Sequence, residues 1–106
     1  MAKSITAAHR KRFAALREAG CITCRPRGYR EPAIHHLVEG NRLGHDFTIP
    51  LCPWCHQGVP PDGLTYKQAI EELGPYFHGM RIAFEAQYGT ERDLLAKTNE
   101  LLGATE

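Results

Sequence analysis

An α+β fold is predicted by three features of the sequence. Two Cys-x-x-Cys pairs lie far apart in the chain, two short strand-like stretches flank a glycine-bearing loop, and helical patterning is confined to the two ends. Together they describe a small zinc-stapled core flanked by an N-terminal helix and by C-terminal helices. The 106 residues suit one domain, residues 1–106, with a modest apolar core. A core that small gains from the binding energy of a structural metal.

The elements follow in order. Ser4 can cap a first helix running to about Ala19, with Ile5, Ala8, Phe13 and Leu16 among its apolar positions and Gly20 as its stop. Lys3, Arg10 and Arg17 recur every seven residues and put a basic stripe on another face. Residues 21–32 read as a turn and loop around Cys21, Cys24 and Arg25-Pro26-Arg27-Gly28. Pro32 to Val38 is a strand candidate, Glu39 to Asp46 a loop, and Phe47-Thr48-Ile49 a second strand. Pro50 should close that strand, because proline cannot donate to a ladder. Leu51 to Gly58 is a metal knuckle leading into a short helix, and Val59-Pro60-Pro61-Asp62-Gly63 breaks the chain. Thr65 and Gln68 form a capping box for a helix ending at Leu73, with Tyr66, Ala69, Ile70 and Leu73 on one face. A further helix is predicted from about Tyr76 to Tyr88, with Met80, Phe84 and Tyr88 four apart. Thr90 can cap a last helix that buries Leu94, Leu95, Thr98, Leu101 and Leu102. These C-terminal stripes read as core and scaffold, without chemistry of their own.

The cysteine spacing is the sharpest signal. In each pair, Cys21 with Cys24 and Cys52 with Cys55, two thiolates can reach one tetrahedral ion from a tight turn, and two such turns complete a four-sulfur site. A redox pair belongs at a strand-to-helix junction of a βαβ pattern, which neither pair has. A disulfide framework suits an oxidising compartment. No apolar run approaches the roughly 20 residues of a membrane span, and no apolar stretch follows the basic N-terminal residues. A cytoplasmic protein with reduced thiols and no membrane partner is therefore expected.

Charge is unevenly spread. Nine Lys/Arg against three acids up to Gly44 give that half +6, and the rest carries −5 to reach the overall +1. A basic front half suits a polyanion such as nucleic acid, though solvated surface charge accounts for it equally well.

Six histidines complete the inventory: His9, His35, His36, His45, His56 and His78. His9 and His78 read as surface or packing residues. His56 directly follows Cys55, so a knuckle fixes it in space. Two antiparallel strands joined by the Glu39–Asp46 loop bring His35 and His36 near it. A divalent ion held by His35 and His56, with His36 as a base for water, is one reading. It meets a constraint: adjacent residues on a regular strand face opposite ways, so both histidines share a site only where the strand end is irregular. The other reading makes His35 or His56 a support of the zinc site.

These residues match a known pattern. Ile34-His35-His36-Leu37, a glycine-bearing loop and Leu51-Cys52-x-x-Cys55-His56 resemble the HNH nucleases, which have a ββα-metal fold. Cys21-x-x-Cys24, Gly40, Gly44, His45 and Thr48-Ile49-Pro50-Leu51-Cys52-Pro53 are similar to phage-borne Ref-type nucleases, named for recombination enhancement. Phe84-Glu85, Tyr88-Gly89-Thr90 and Leu94-Leu95 resemble that family's tail, so the likeness runs from about His9 to Leu95. The resemblance implies metal-dependent cleavage of DNA phosphodiesters in a ββα-metal unit over about residues 33–63. It implies that His35 and His56 bind a catalytic Mg²⁺, Mn²⁺ or Zn²⁺ and that His36 is the general base. The usual middle asparagine lies five residues before the first knuckle cysteine, where this chain has Phe47. His45 or Asp46 is then expected to orient the base or complete the metal shell; Asn41 is displaced from the slot.

An endonuclease would hold the DNA backbone with Arg10, Lys11 and Arg17 of the first helix and with Arg25 and Arg27 of the loop. By resemblance a recombinase filament is a candidate partner. The alternative is a zinc-stabilised module that binds DNA or protein without catalysis. Three histidines near one knuckle favour the nuclease.

Overall fold

The computed structural model describes residues 5–37 and 44–103. In chain order they form α1 (Ala7–Ala19), a 3-10 turn (Arg25–Arg27), β1 (Ala33–His36), β2 (Thr48–Leu51), α2 (Pro53–Gln57), α3 (Tyr66–Leu73), α4 (Arg81–Tyr88) and α5 (Glu91–Gly103). The fold class is α+β, a two-stranded sheet with five α-helices among the described residues. Gly40 and Asn41 of the connecting loop lie outside those residues.

Ser4 also lies outside the described residues, and the cap of α1 is Thr6. Its hydroxyl accepts the His9 N–H at 3.1 Å, while His9 Nδ1 accepts the Thr6 N–H at 3.2 Å. A histidine thus fills the place of the usual Glu or Gln in a capping box. Phe13 and Leu16 are the buried residues of α1, whereas Ile5 and Ala8 are exposed. The helix ends at Gly20, whose φ of 83° and close approach to the Tyr29 ring both exclude a Cβ.

The strands pair antiparallel, with Ala33 opposite Leu51, Ile34 opposite Pro50, His35 opposite Ile49 and His36 opposite Thr48. β2 therefore runs through Pro50 instead of stopping there. Proline is tolerated because this residue's polar groups face away from β1: its carbonyl accepts the Ile22 N–H at 2.8 Å on the outer edge. Alternation along β1 sends His36 to the side covered by α1, where it meets Phe13, and His35 to the side covered by α2 and α5. All four residues of β2 are buried.

Thr65 and Gln68 form the expected capping box of α3. The helix expected from Tyr76 begins only at Arg81. Gly74 and Pro75 end the preceding helix, and residues 76–80 follow a turn pinned to α2: Phe77 N–H donates to the Cys55 carbonyl at 2.8 Å and His78 N–H to the His56 carbonyl at 3.2 Å. Thr90 caps α5, its hydroxyl accepting the Asp93 N–H at 3.1 Å while the Asp93 carboxylate accepts the Thr90 N–H at 2.9 Å. Leu94, Leu95 and Thr98 are buried on α5; Leu101 and Leu102 are only partly so. Trp54, Phe77, Phe84 and Leu94 complete the core around the four cysteines. No described helix is long and apolar enough to cross a membrane.

Candidate metal centres

Both cysteine pairs are presented by tight turns that the sheet brings together. After α1, the N–H groups of Cys24 and Arg25 turn back onto the Cys21 carbonyl at 3.2 and 3.1 Å. The bond from Ile22 to Pro50 then ties this turn to β2, which leads directly into the second pair. Cys52 is the N-cap of α2 and Cys55 lies in its first turn, so the two sulfurs leave on the same side. All four thiols are at most 2 % exposed, and all four sulfurs lie within 4.8 Å of one another. The Cys24 sulfur is 3.8 Å from that of Cys52 and 3.5 Å from that of Cys55. A tetrahedron with Zn–S bonds of about 2.3 Å has edges of about 3.8 Å. The donor set therefore fits a structural metal ion and is consistent with a zinc site.

The surroundings suit thiolates. Arg27 donates from Nη2 to the Cys24 sulfur at 3.6 Å and is itself held by the Leu73 carbonyl and the Tyr88 hydroxyl. The Cys52 sulfur accepts the Cys55 N–H at 3.5 Å. Hydrogen bonds from the neighbouring sulfurs, Cys24 first, drive the Cys21 thiol well below the ordinary range, while hydrogen bonding with Cys21 above all pushes the Cys55 thiol up.

A second cluster lies on the far side of α2. His35, His56 and His78 bring ring nitrogens within 4.8 Å of one another. The His35 and His56 ring centroids are 4.9 Å apart, as are those of His56 and His78. His35 is buried, His56 half-buried and His78 exposed, so the cluster grades from core to solvent. Burial holds His35 below the usual imidazole range, against the pull of Glu91. Burial, with His35 and His78 alongside, takes His56 down to about 4. Both rings are thus neutral near pH 7, the state in which imidazole binds a metal. The set fits a divalent cation with one face left open.

His35 also meets a carboxylate: its Nε2 lies 2.6 Å from Glu91 Oε2, with both side chains at most 2 % exposed. Glu91 further lies 3.6 Å from Arg81 Nη2, and the Arg81 guanidinium sits over the Phe77 ring.

His36 belongs to a different group. β1 is regular to its last residue, so the irregular strand end that would bring His35 and His36 to one face is absent. His36 Nε2 lies 3.0 Å from His45 Nδ1. His45 is held in turn, its carbonyl accepting the Thr48 hydroxyl at 3.1 Å. Arg12 clamps Thr48 from α1, donating to its hydroxyl at 2.9 Å and to its carbonyl at 2.7 Å. Asp46 is exposed and lies 3.5 Å from His9 Nε2. Of the two residues expected to replace the missing asparagine, His45 is the one that touches His36.

Of the basic residues, Arg10, Lys11 and Arg17 are exposed on α1. Arg25 donates to the Ala19 carbonyl at 2.6 Å, and Arg27 is engaged at Cys24 as described.

Sequence reasoning missed two residues, His78 and Glu91. His78 reads as the start of a helix until residues 76–80 are seen to fold against α2. Glu91 stands 35 residues beyond His56, and only the packing of α5 onto the sheet delivers it.

The fold and its two clusters define a small α+β protein built around four buried cysteines whose geometry suits a structural metal ion, with histidines presented beside them. A family model described as recombination enhancement, RecA-dependent nuclease matches residues 5–103. The chain belongs to that family, and its role is that of a nuclease. No curated protein matches it.

Proposed function

We propose that this chain is an HNH-type endonuclease that hydrolyses DNA phosphodiesters. Zinc at Cys21, Cys24, Cys52 and Cys55 staples the scaffold, and a separate divalent ion is held by His35, His56 and His78. The observation that carries the reading is the convergence of those three imidazoles, all within 4.8 Å and open to solvent at His78. Such an ion, when bound, supplies Lewis-acid stabilisation of charge on the phosphate and the leaving oxygen.

The chain's own residues divide the remaining work. Displacement at phosphorus is roughly in line, so the attacking and leaving oxygens sit on opposite sides. His36 is the last residue of β1, so a phosphate placed at the strand end can be approached from both faces, by the ion at His35 and by the base at His36. His36 acts as general base, with its ring oriented by His45. Neutral His35 and His56 preserve the metal site near pH 7. Arg10, Lys11 and Arg17 contact the DNA backbone from α1, the helix that also covers His36, and Arg25 and Arg27 add charge from the loop. The dependence in the family's description points to a recombinase filament as the partner that presents the DNA.

Plasmid nicking tests the reading. With Mg²⁺, Mn²⁺ or Zn²⁺ added, wild type nicks supercoiled plasmid, and His36→Ala lowers the rate by about 10²–10⁴. The assay is run with and without a RecA filament. Equal rates for the two proteins would remove His36 from the mechanism. Absence of nicking by wild type under every condition would leave a zinc-stabilised DNA-binding module.

A further inference from the structure

We infer that Glu91 is a positioning residue of the histidine metal site, holding His35 in the ring orientation and tautomer that a metal requires. The inference rests on the site proposed above and assigns chemistry to a helix whose sequence reads as scaffold only.

A neutral imidazole has one N–H and one lone pair, and a metal needs the lone pair. Which nitrogen offers it is set by the partner of the other. At His35 that partner is fixed: Nε2 lies 2.6 Å from Glu91 Oε2, and both groups are buried. A carboxylate accepts hydrogen bonds and does not donate them, so Nε2 carries the proton. Nδ1 is left as the ligand atom. Glu91 is itself constrained. It is the first residue of α5, where the helix dipole favours a carboxylate. Arg81 faces its other oxygen at 3.6 Å. Glu91 does not join His35, His56 and His78 as a fourth close ligand, so it acts through His35.

A carboxylate behind a metal-bound histidine fixes the ring and raises its basicity, and losing it typically costs about 10–100-fold in metal affinity. That cost is the expected effect of Glu91→Gln, which keeps the shape and removes the charge.

The test uses the full chain with zinc loaded at the cysteines, titrated with Co²⁺ and read by visible absorption. Wild type binds Co²⁺ at the histidines, His35→Ala abolishes the signal, and Glu91→Gln weakens it about 10–100-fold. If His35→Ala abolishes binding while Glu91→Gln stays within twofold, the inference is wrong and the metal site stands. If His35→Ala binds Co²⁺ normally, the metal site fails, and this inference fails with it. The tautomer provides a check independent of any variant's folding. Long-range ¹H–¹⁵N correlation of wild type should find the His35 proton on Nε2; a proton on Nδ1 would overturn the assignment.

Discussion

At the residue scale, each candidate functional histidine takes its character from its neighbours. His56 illustrates this with a measurable consequence. Its imidazole titrates at about 4 in the folded protein against an ordinary 6.5, chiefly because burial disfavours the charged ring. Folding therefore favours neutral His56. The stability this contributes is present above about pH 6.5 and is lost as pH falls through about 4. The melting temperature should decline over that window, and His56→Gln, which cannot titrate, should decline less. Identical pH profiles for the two proteins would contradict the assignment. His45 and Asp46 make the complementary point. They are adjacent and equally polar, yet His45 turns to His36 while Asp46 turns to His9.

At the element scale, short pieces are stabilised by local devices and positioned around the four-cysteine cluster. α2 has five residues and no stability of its own. Its N-cap and first turn supply two of the four thiols, so the proposed zinc would fix α2 as α2 presents its ligands. α3 is different: it closes its own N-terminus with the Thr65–Gln68 box. These facts predict contrasting variants. Thr65→Ala should cost about 1 kcal/mol of stability and leave nicking unchanged, as measured by chemical denaturation and plasmid assay. Cys21→Ser should remove the fixed environment of Trp54, which packs beside the second pair, and so abolish its near-ultraviolet circular dichroism. The chelated wild type should show the same loss. The turn at residues 76–80 carries the same logic, since two backbone bonds to α2, not helix propensity, deliver His78.

At the scale of the whole molecule, the basic front half and the acidic remainder do different things. α1 keeps Arg10, Lys11 and Arg17 in solvent, while Arg12 is half-buried and used up on Thr48. Net charge thus overstates the surface available to DNA. Affinity for duplex should fall linearly in log–log form with salt, and each phosphate that is no longer neutralised should flatten the slope by about 0.9. Replacing Arg10, Lys11 and Arg17 together by alanine should flatten it by up to three such increments, read by gel shift across a salt series. An unchanged slope would move the DNA interface off α1.

Much of this fold is legible in the sequence alone. Cysteine spacing reports a four-sulfur site because two residues between thiols is a local constraint, and tight turns satisfy it wherever they lie in the fold. Capping boxes, glycine stops and apolar stripes are equally local: they place both ends of α3, the Gly20 stop of α1 and the Thr90 cap of α5, whereas the cap of α1 falls at Thr6 and not at Ser4. What the sequence leaves undecided is set by contacts between distant segments. Pro50 stays in β2 because its polar groups face an outer edge that Ile22 reaches. His35 and His36 separate because β1 stays regular to its end. His78 and Glu91 join the histidine site because the turn at 76–80 and the first residue of α5 pack against it. The sequence by itself determined which chemical groups are available and which turns present them; only the tertiary structure decided which groups meet, since that depends on how sheet and helices close around one small core.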